Sequence, residues 1–160
     1  DPNSPKTETR NGSDQGVHGN YLGNAGGGHY NSPTSNSGGT NLTGVFYTAS
    51  RVQFPQVTDG TSNTLLLSET LVTKDEDGAG GEHDVRGRYW NQARAGGAAW
   101  FSTLDTPNTA ADDQMNVHCV AGANTPCRAV PDNQVSFARS LHAGGVNAAM
   151  ADGSVRFVSN

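Results

Sequence analysis

Apolar residues along this chain fall in short runs bounded by turn formers, of which "LLL" at 65–67, "AAWF" at 98–101 and "VNAAMA" at 146–151 are the longest. None sustains the 3.6-residue period of an amphipathic helix, so the pattern predicts strands rather than a helical bundle. The clearest element is at the C-terminus, where Val146 to Met150 and Val155 to Ser159 flank Asp152-Gly153, the dipeptide typical of a hairpin turn. With Asp152-Gly153 as a two-residue loop, Met150 faces Val155, Ala148 faces Phe157 and Val146 faces Ser159. One face then collects Val146, Ala148, Met150, Val155 and Phe157 as core, and the other shows Asn147, Ala149, Ala151, Ser154, Arg156 and Val158. A shift of one residue would redistribute both faces.

Upstream, Asp59-Gly60 marks a turn before a strand from Thr64 to Val72, and Tyr89-Trp90 and Trp100-Phe101 suggest two neighbouring strands joined by a bend at Gly96-Gly97. Residues 1–45 are rich in Gly, Asn, Ser and Thr and read as loop, with one strand pair around Tyr21-Leu22 and Gly44 to Tyr47. Residues 104–135 read as loop again. The expectation is a single domain over 1–160 of the β-rich α+β class. Its main sheet would lie within 46–160, be small and antiparallel, and end in the hairpin 146–159.

Composition narrows this further. Only 33% of the 160 residues are hydrophobic, with 21 Gly and 7 Pro, so a modest core must hold long irregular segments. The net charge of -5, with Lys and Arg scattered singly, gives no basic stripe and argues against nucleic acid as a partner. No stretch approaches the ~20 apolar residues of a membrane span, and "DPNSPKTETR" is not a signal peptide. Cys119 and Cys127 bracket a turn-rich loop and read as a disulfide of ~2.5 kcal/mol, implying export. The alternative, a Zn site, finds only His118 nearby.

Candidate chemistry is sparse. The acidic tip of Asp75, Asp77, Glu82 and Asp84, with Glu76 and His83, either stays a solvated loop or wraps Ca2+ with its carboxylates; Asp59 and Glu69 form the next place to look. No other cofactor is called for. The aromatic pairs are either core or a sugar-stacking platform. Asn11 and Asn41 match the N-glycosylation pattern, which this content of Asn, Ser and Thr also produces by chance. His142 and Asp152 are the one conspicuous pair of reactive types. Ten extended residues at about 3.3 Å each separate them by up to roughly 30 Å, far beyond the ~3 Å of a working dyad. His142 is therefore expected to fix the start of the hairpin, and the chain is expected not to be an enzyme.

The tail nonetheless carries a recognisable spacing: His142, nine residues, then Asp152-Gly153, with "GGVN" and "SVRFVSN" around it. Together with "DGTSNTLLLSE" at 59–69, "NYLGNAGG" at 20–27 and "RGRYWN" at 86–91, it resembles the bacterial prepilin-type processing-associated domain family named for that spacing. The motif positions are His142, Gly144, Gly145, Asn147, Asp152 and Gly153. The resemblance implies a secreted, pilin-like or pseudopilin-like protein of the planctomycete type, a β-rich head without enzymatic activity. The family's N-terminal helix and cleavage site are absent from this chain, which implies a head fragment or a processed product. A structural subunit of an extracellular filament or cell-surface assembly is the first functional expectation, with Asn147 and Arg156 near a subunit contact. A secreted module binding carbohydrate or another surface polymer, with glycans as partners, is the second.

Overall fold

The computed structural model of the chain describes residues 1–4, 6–10, 13–30, 42–76, 81–88, 98–115, 118–131 and 133–160. Its elements are β1 (Lys6–Arg10), β2 (Ser13–His18), β3 (Tyr21–Gly26), β4 (Leu65–Glu69), β5 (Trp100–Ser102), β6 (Asp113–Met115), β7 (Cys127–Ala129), β8 (Gly145–Met150) and β9 (Val155–Ser159). A 3-10 turn lies at Phe54–Gln56. The β-rich class holds, without the α-helix of an α+β fold among the described residues. β1 and β2 form one two-stranded sheet, β6 and β7 another, and the main sheet runs β5-β3-β4-β8-β9. That sheet is mixed rather than antiparallel, because β5 runs parallel to β3. Among the described residues no helix is long and apolar enough to cross a membrane.

The N-terminal part corrects the loop reading, since three strands lie within it. β1 and β2 pair with each other from Lys6 opposite His18 to Arg10 opposite Ser13. Such a pair satisfies its own backbone groups and needs no apolar alternation, the signal a hydrophobic pattern reports. β3 pairs with β4 as Tyr21–Glu69, Leu22–Ser68 and Gly23–Leu67. Residues 44–47 do not form a strand, yet Gly44 and Phe46 donate N–H bonds to the carbonyls of Ala25 and Asn24, each at 3.0 Å. They pack along β3 as the sequence suggested, in irregular form.

Apolar burial is divided into small clusters. Leu22, Phe101, Ala138 and Val146 form one, flanked by Leu65 and Val158. Ala25, Tyr30 and Trp100 form a second, and Val85, Ala98 and Met115 a third beside Cys119. Trp100 and Phe101 are therefore core residues, which removes them from any sugar-stacking platform; Tyr89 and Trp90 lie outside the described residues. Tyr30 fastens its loop: it stacks edge-on against Trp100 at 5.9 Å, and its N–H donates to the Gln134 carbonyl at 2.8 Å. Cys119 and Cys127 are joined in a disulfide, so the loop between them is closed and the thiolate Zn reading falls away.

The terminal hairpin forms, but one residue away from the expected register. Gly145 faces Ser159, Val146 faces Val158, Asn147 faces Phe157 and Ala149 faces Val155. The loop has three residues, closed by the Gly153 N–H on the Met150 carbonyl at 3.0 Å and the Met150 N–H on the Ser154 carbonyl at 2.8 Å. Gly153 alone takes a left-handed φ, +84°, as in a type I turn followed by a glycine bulge. A two-residue type I′ loop would force Asp152 there too. Asp152 instead uses its carboxylate to accept the Ser154 N–H at 2.9 Å and the Ser154 hydroxyl at 2.7 Å. The shift moves Val155 and Phe157 off the core face, leaving them 69% and 54% exposed, and turns Val158 inward.

His18, at the end of β2, is buried, donates Nδ1–H to the Arg86 carbonyl at 3.0 Å, and leaves Nε2 without a partner. Burial foremost, helped by Lys6 and Arg88, holds its pKa below the ordinary 6.5 against the raising effect of that carbonyl. The unfolded chain therefore binds a proton near pH 6.5 that the folded chain refuses. Stability is full above that pH and falls as pH drops below it, toward the folded-state pKa. Thermal unfolding compared between about pH 7.5 and about pH 5 should show a smaller acid loss in His18→Gln than in the wild type.

Candidate functional site

β4 and β8 lie side by side, and the two segments with the most distinctive sequences meet along them. At one end the Glu69 carboxylate accepts the Asn147 N–H at 2.7 Å. Its other oxygen lies 3.3 Å from Asn147 Nδ2 and 3.2 Å from His142 Nε2, and those two nitrogens are 3.1 Å apart. At the other end the hairpin loop docks on the turn before β4, with Ala151 donating to the Thr64 carbonyl at 2.8 Å and Asp152 to that of Thr61 at 3.2 Å. The stretch between His142 and Asp152-Gly153 thus spans β8 and its loop, with a clamp at each end. The two glycines fit the same frame: Gly144 adopts φ +80°, and a Cβ on Gly145 would lie 2.8 Å from the Phe157 ring.

His142 stands at the start of the hairpin as expected and works with Glu69 rather than Asp152. Its side chain is 54% exposed while that of Glu69 is 13% exposed, so a sheltered carboxylate orients an open imidazole. An open cleft of about 340 Å³, lined by Asp1, Asn20, Tyr21, Glu69, Ser140 and His142 among others, lies beside the pair. Asn147 is half-buried and engaged in this clamp, whereas Arg156 is exposed on β9.

Four buried charges, a square in count rather than in shape, run as a chain of contacts from Asp84 through Arg86 and Asp113 to Arg139. Arg86 Nη2 and Nε reach both oxygens of Asp84 at 2.6 to 3.1 Å, and its Nη1 donates to Asp113 at 2.7 Å. Arg139 meets the same Asp113 carboxylate at 3.0 to 3.3 Å. All four side chains are at most 2% exposed. Two cations and two anions balance, as buried charge requires. The spare guanidinium N–H groups donate to the carbonyls of Val120 and Thr125 from Arg86, and of Thr109 and Ala111 from Arg139. Burial alone would lower the Arg86 pKa, but Asp84 and then Asp113 hold it above its ordinary value.

Among the described residues, those expected to wrap Ca2+ turn their carboxylates to other partners. Asp84 belongs to the charge square, and Asp75 pairs with Lys6 at 2.6 Å while accepting the Asp84 N–H at 2.7 Å. Asp77 lies outside the described residues, as do Asn11 and Asn41. Glu69 is held in the hairpin clamp. Glu82 turns toward His118, with its Oε2 2.8 Å from Nδ1. The His118 ring stacks on His83 with centroids 3.8 Å apart, and one donor atom from each of Glu82, His83 and His118 lies within 4.8 Å of the others. Along the chain His118 stands beside the cysteines and His83 within the acidic tip, and nothing local joins the two distant segments.

The outer edge is β9, which among the described residues pairs with β8 alone. Hydrogen-bonded pairs at Met150–Ser154 and Gly144–Asn160 fix the alternation, so the backbone groups of Val155, Phe157 and Ser159 point away from the sheet. The two exposed apolar side chains of β9 belong to those same residues, Val155 and Phe157.

Compared with known proteins, the chain matches over residues 1–160 the family described as a protein of unknown function (DUF1559). No curated protein and no solved structure matches.

Two energetic outcomes follow from the clamp and the square. Glu69→Ala leaves the Asn147 N–H without its charged acceptor and should lower unfolding free energy by about 1.5–3 kcal/mol, whereas His142→Ala, an exposed partner, should cost under about 1 kcal/mol. Asp113→Ala strands two guanidinium groups and should cost about 3–5 kcal/mol. Denaturant titrations measure all three; equal effects of Glu69→Ala and His142→Ala would remove the clamp's backbone contact as its main contribution.

Proposed function

This chain belongs to the DUF1559 family, and we propose that it serves as a non-enzymatic structural subunit of an extracellular filament or cell-surface assembly, pilin-like in kind. The observation that carries this reading is the β9 edge. A free strand edge is a template for another chain. Here its outward backbone groups coincide with Val155 and Phe157, which are 69% and 54% exposed. Arg156 is the only charge on the strand, and no proline interrupts it. Strand addition at this edge would satisfy the backbone groups and cover both side chains, each worth up to about 1.5–3 kcal/mol if fully buried. One such contact is weak, so its use lies in repetition along an assembly.

The disulfide agrees with a location outside the cytoplasm. The spacing from His142 to Asp152-Gly153, which resembles the prepilin-type family, supports the pilin-like character. Asn147 has a structural task within the subunit, so the expected contact centres on β9 itself, with Arg156 at its surface. The polymer-binding alternative loses Trp100 and Phe101, two of the aromatics of its platform, to the core.

Sedimentation and electron microscopy of the oxidised protein test the proposal. The wild type should assemble with increasing concentration, and the double variant Val155→Lys, Phe157→Lys should need at least about tenfold more protein. Its unfolding free energy should stay within about 0.5 kcal/mol of wild type, as expected for surface positions. Assembly that is indifferent to both lysines would remove β9 from the contact, and a wild type that stays monomeric would overturn the subunit role.

A further inference from the structure

We propose that Glu82, His83 and His118 form a binding site for a divalent first-row transition ion, with Zn2+ as the fitting occupant. The donor set is the first reason. Two neutral imidazole nitrogens and one carboxylate oxygen suit Zn2+ and its neighbours, and three such ligands leave an open position for water. Ca2+ asks for six to eight oxygens. Of the described acidic residues in this region, Asp75 and Asp84 are already held by Lys6 and Arg86, which leaves few carboxylates among the described residues for a hard-cation cage.

Geometry is the second. The three donor atoms lie within 4.8 Å of one another, and tetrahedral ligands about 2.0–2.1 Å from an ion stand about 3.3 Å apart. Closing that gap takes movements of about an ångström or slightly more, together with a turn of the His118 ring out of its 33° stack on His83 so that both nitrogen lone pairs point at the ion. The side chains of His118 and Glu82 are 38% and 53% exposed and have room to move, while His83, 6% exposed, is the fixed post. The ion would replace the present 2.8 Å contact between Glu82 and His118 with two bonds to itself.

The third reason is how firmly the two histidine backbones are set. Asp84, next to His83, accepts the Val120 N–H at 2.8 Å, and Arg86 donates to the Val120 carbonyl at 2.9 Å. Val85 N–H reaches the His118 carbonyl at 3.4 Å, and Cys119 is locked in the disulfide. The buried charges thus splice the segment after Gly81 to the segment around His118. His118 itself sits at φ +42°, a left-handed conformation uncommon for a residue with a side chain. Such outliers concentrate where a scaffold holds ligands in place.

Calorimetry of the oxidised full chain with ZnCl2 tests this, with visible absorption of Co2+ as a second readout of coordination. One ion per chain is expected, and the Co2+ spectrum should change on adding Zn2+ but not Ca2+. His118→Asn removes the imidazole with a residue that tolerates positive φ, and should weaken binding at least about tenfold with an unchanged circular dichroism spectrum. His83→Gln should do the same if it folds; if it does not, His118→Asn decides alone. His142→Asn should leave binding intact. Zn2+ affinity that is equal in wild type and His118→Asn, that is lost in His142→Asn, or that yields to equimolar Ca2+ would overturn the site.

Discussion

Two arginines and two aspartates, all withdrawn from water, hold this fold together. A chain with 33% hydrophobic residues cannot rely on one continuous apolar core, and its long irregular segments bring backbone carbonyls inside that no ladder satisfies. Arg86 and Arg139 answer both needs, neutralising Asp84 and Asp113 while donating to four carbonyls, those of Thr109 and Ala111 on one stretch of chain and those of Val120 and Thr125 on another. Such a square adds little net stability over an apolar equivalent, because desolvating four charges offsets most of their attraction. Its effect is positional, since each segment has one place where the charges balance.

The rest is hung from that square. The Arg139 N–H donates to the Glu69 carbonyl at 2.9 Å, joining the square to β4. The side chain of the same Glu69 clamps the start of β8, and the turn before β4 receives the hairpin loop. Asp84 and Arg86 together grip Val120 and so bring His118 beside His83. The hairpin clamp and the imidazole pair are two ends of one polar framework.

Much of the strand content could be read from residues alone, because hairpin signals, the cysteine pair and buried aromatics act locally. The register of the last hairpin could not, since Asp-Gly serves both a two-residue and a three-residue loop. What decides between them is the docking of Ala151 and Asp152 on Thr64 and Thr61, a contact between distant segments. The acidic tip misled for a related reason: a run of carboxylates is visible in sequence, but Lys6 and Arg86, which neutralise two of them, are recruited through the fold. Polar β1 and β2 escaped notice because their pairing rests on backbone bonds.

The three-residue loop at Ala151 to Gly153 has a consequence for how such a protein changes over generations. Loop length sets the parity of β9, and parity decides whether Val155 and Phe157 serve the molecule's interior or its exterior. A single-codon deletion in that loop could exchange the two roles without altering any residue of the strand. Which of these apolar side chains is sheltered and which meets water is thereby governed by a count of residues at one bend.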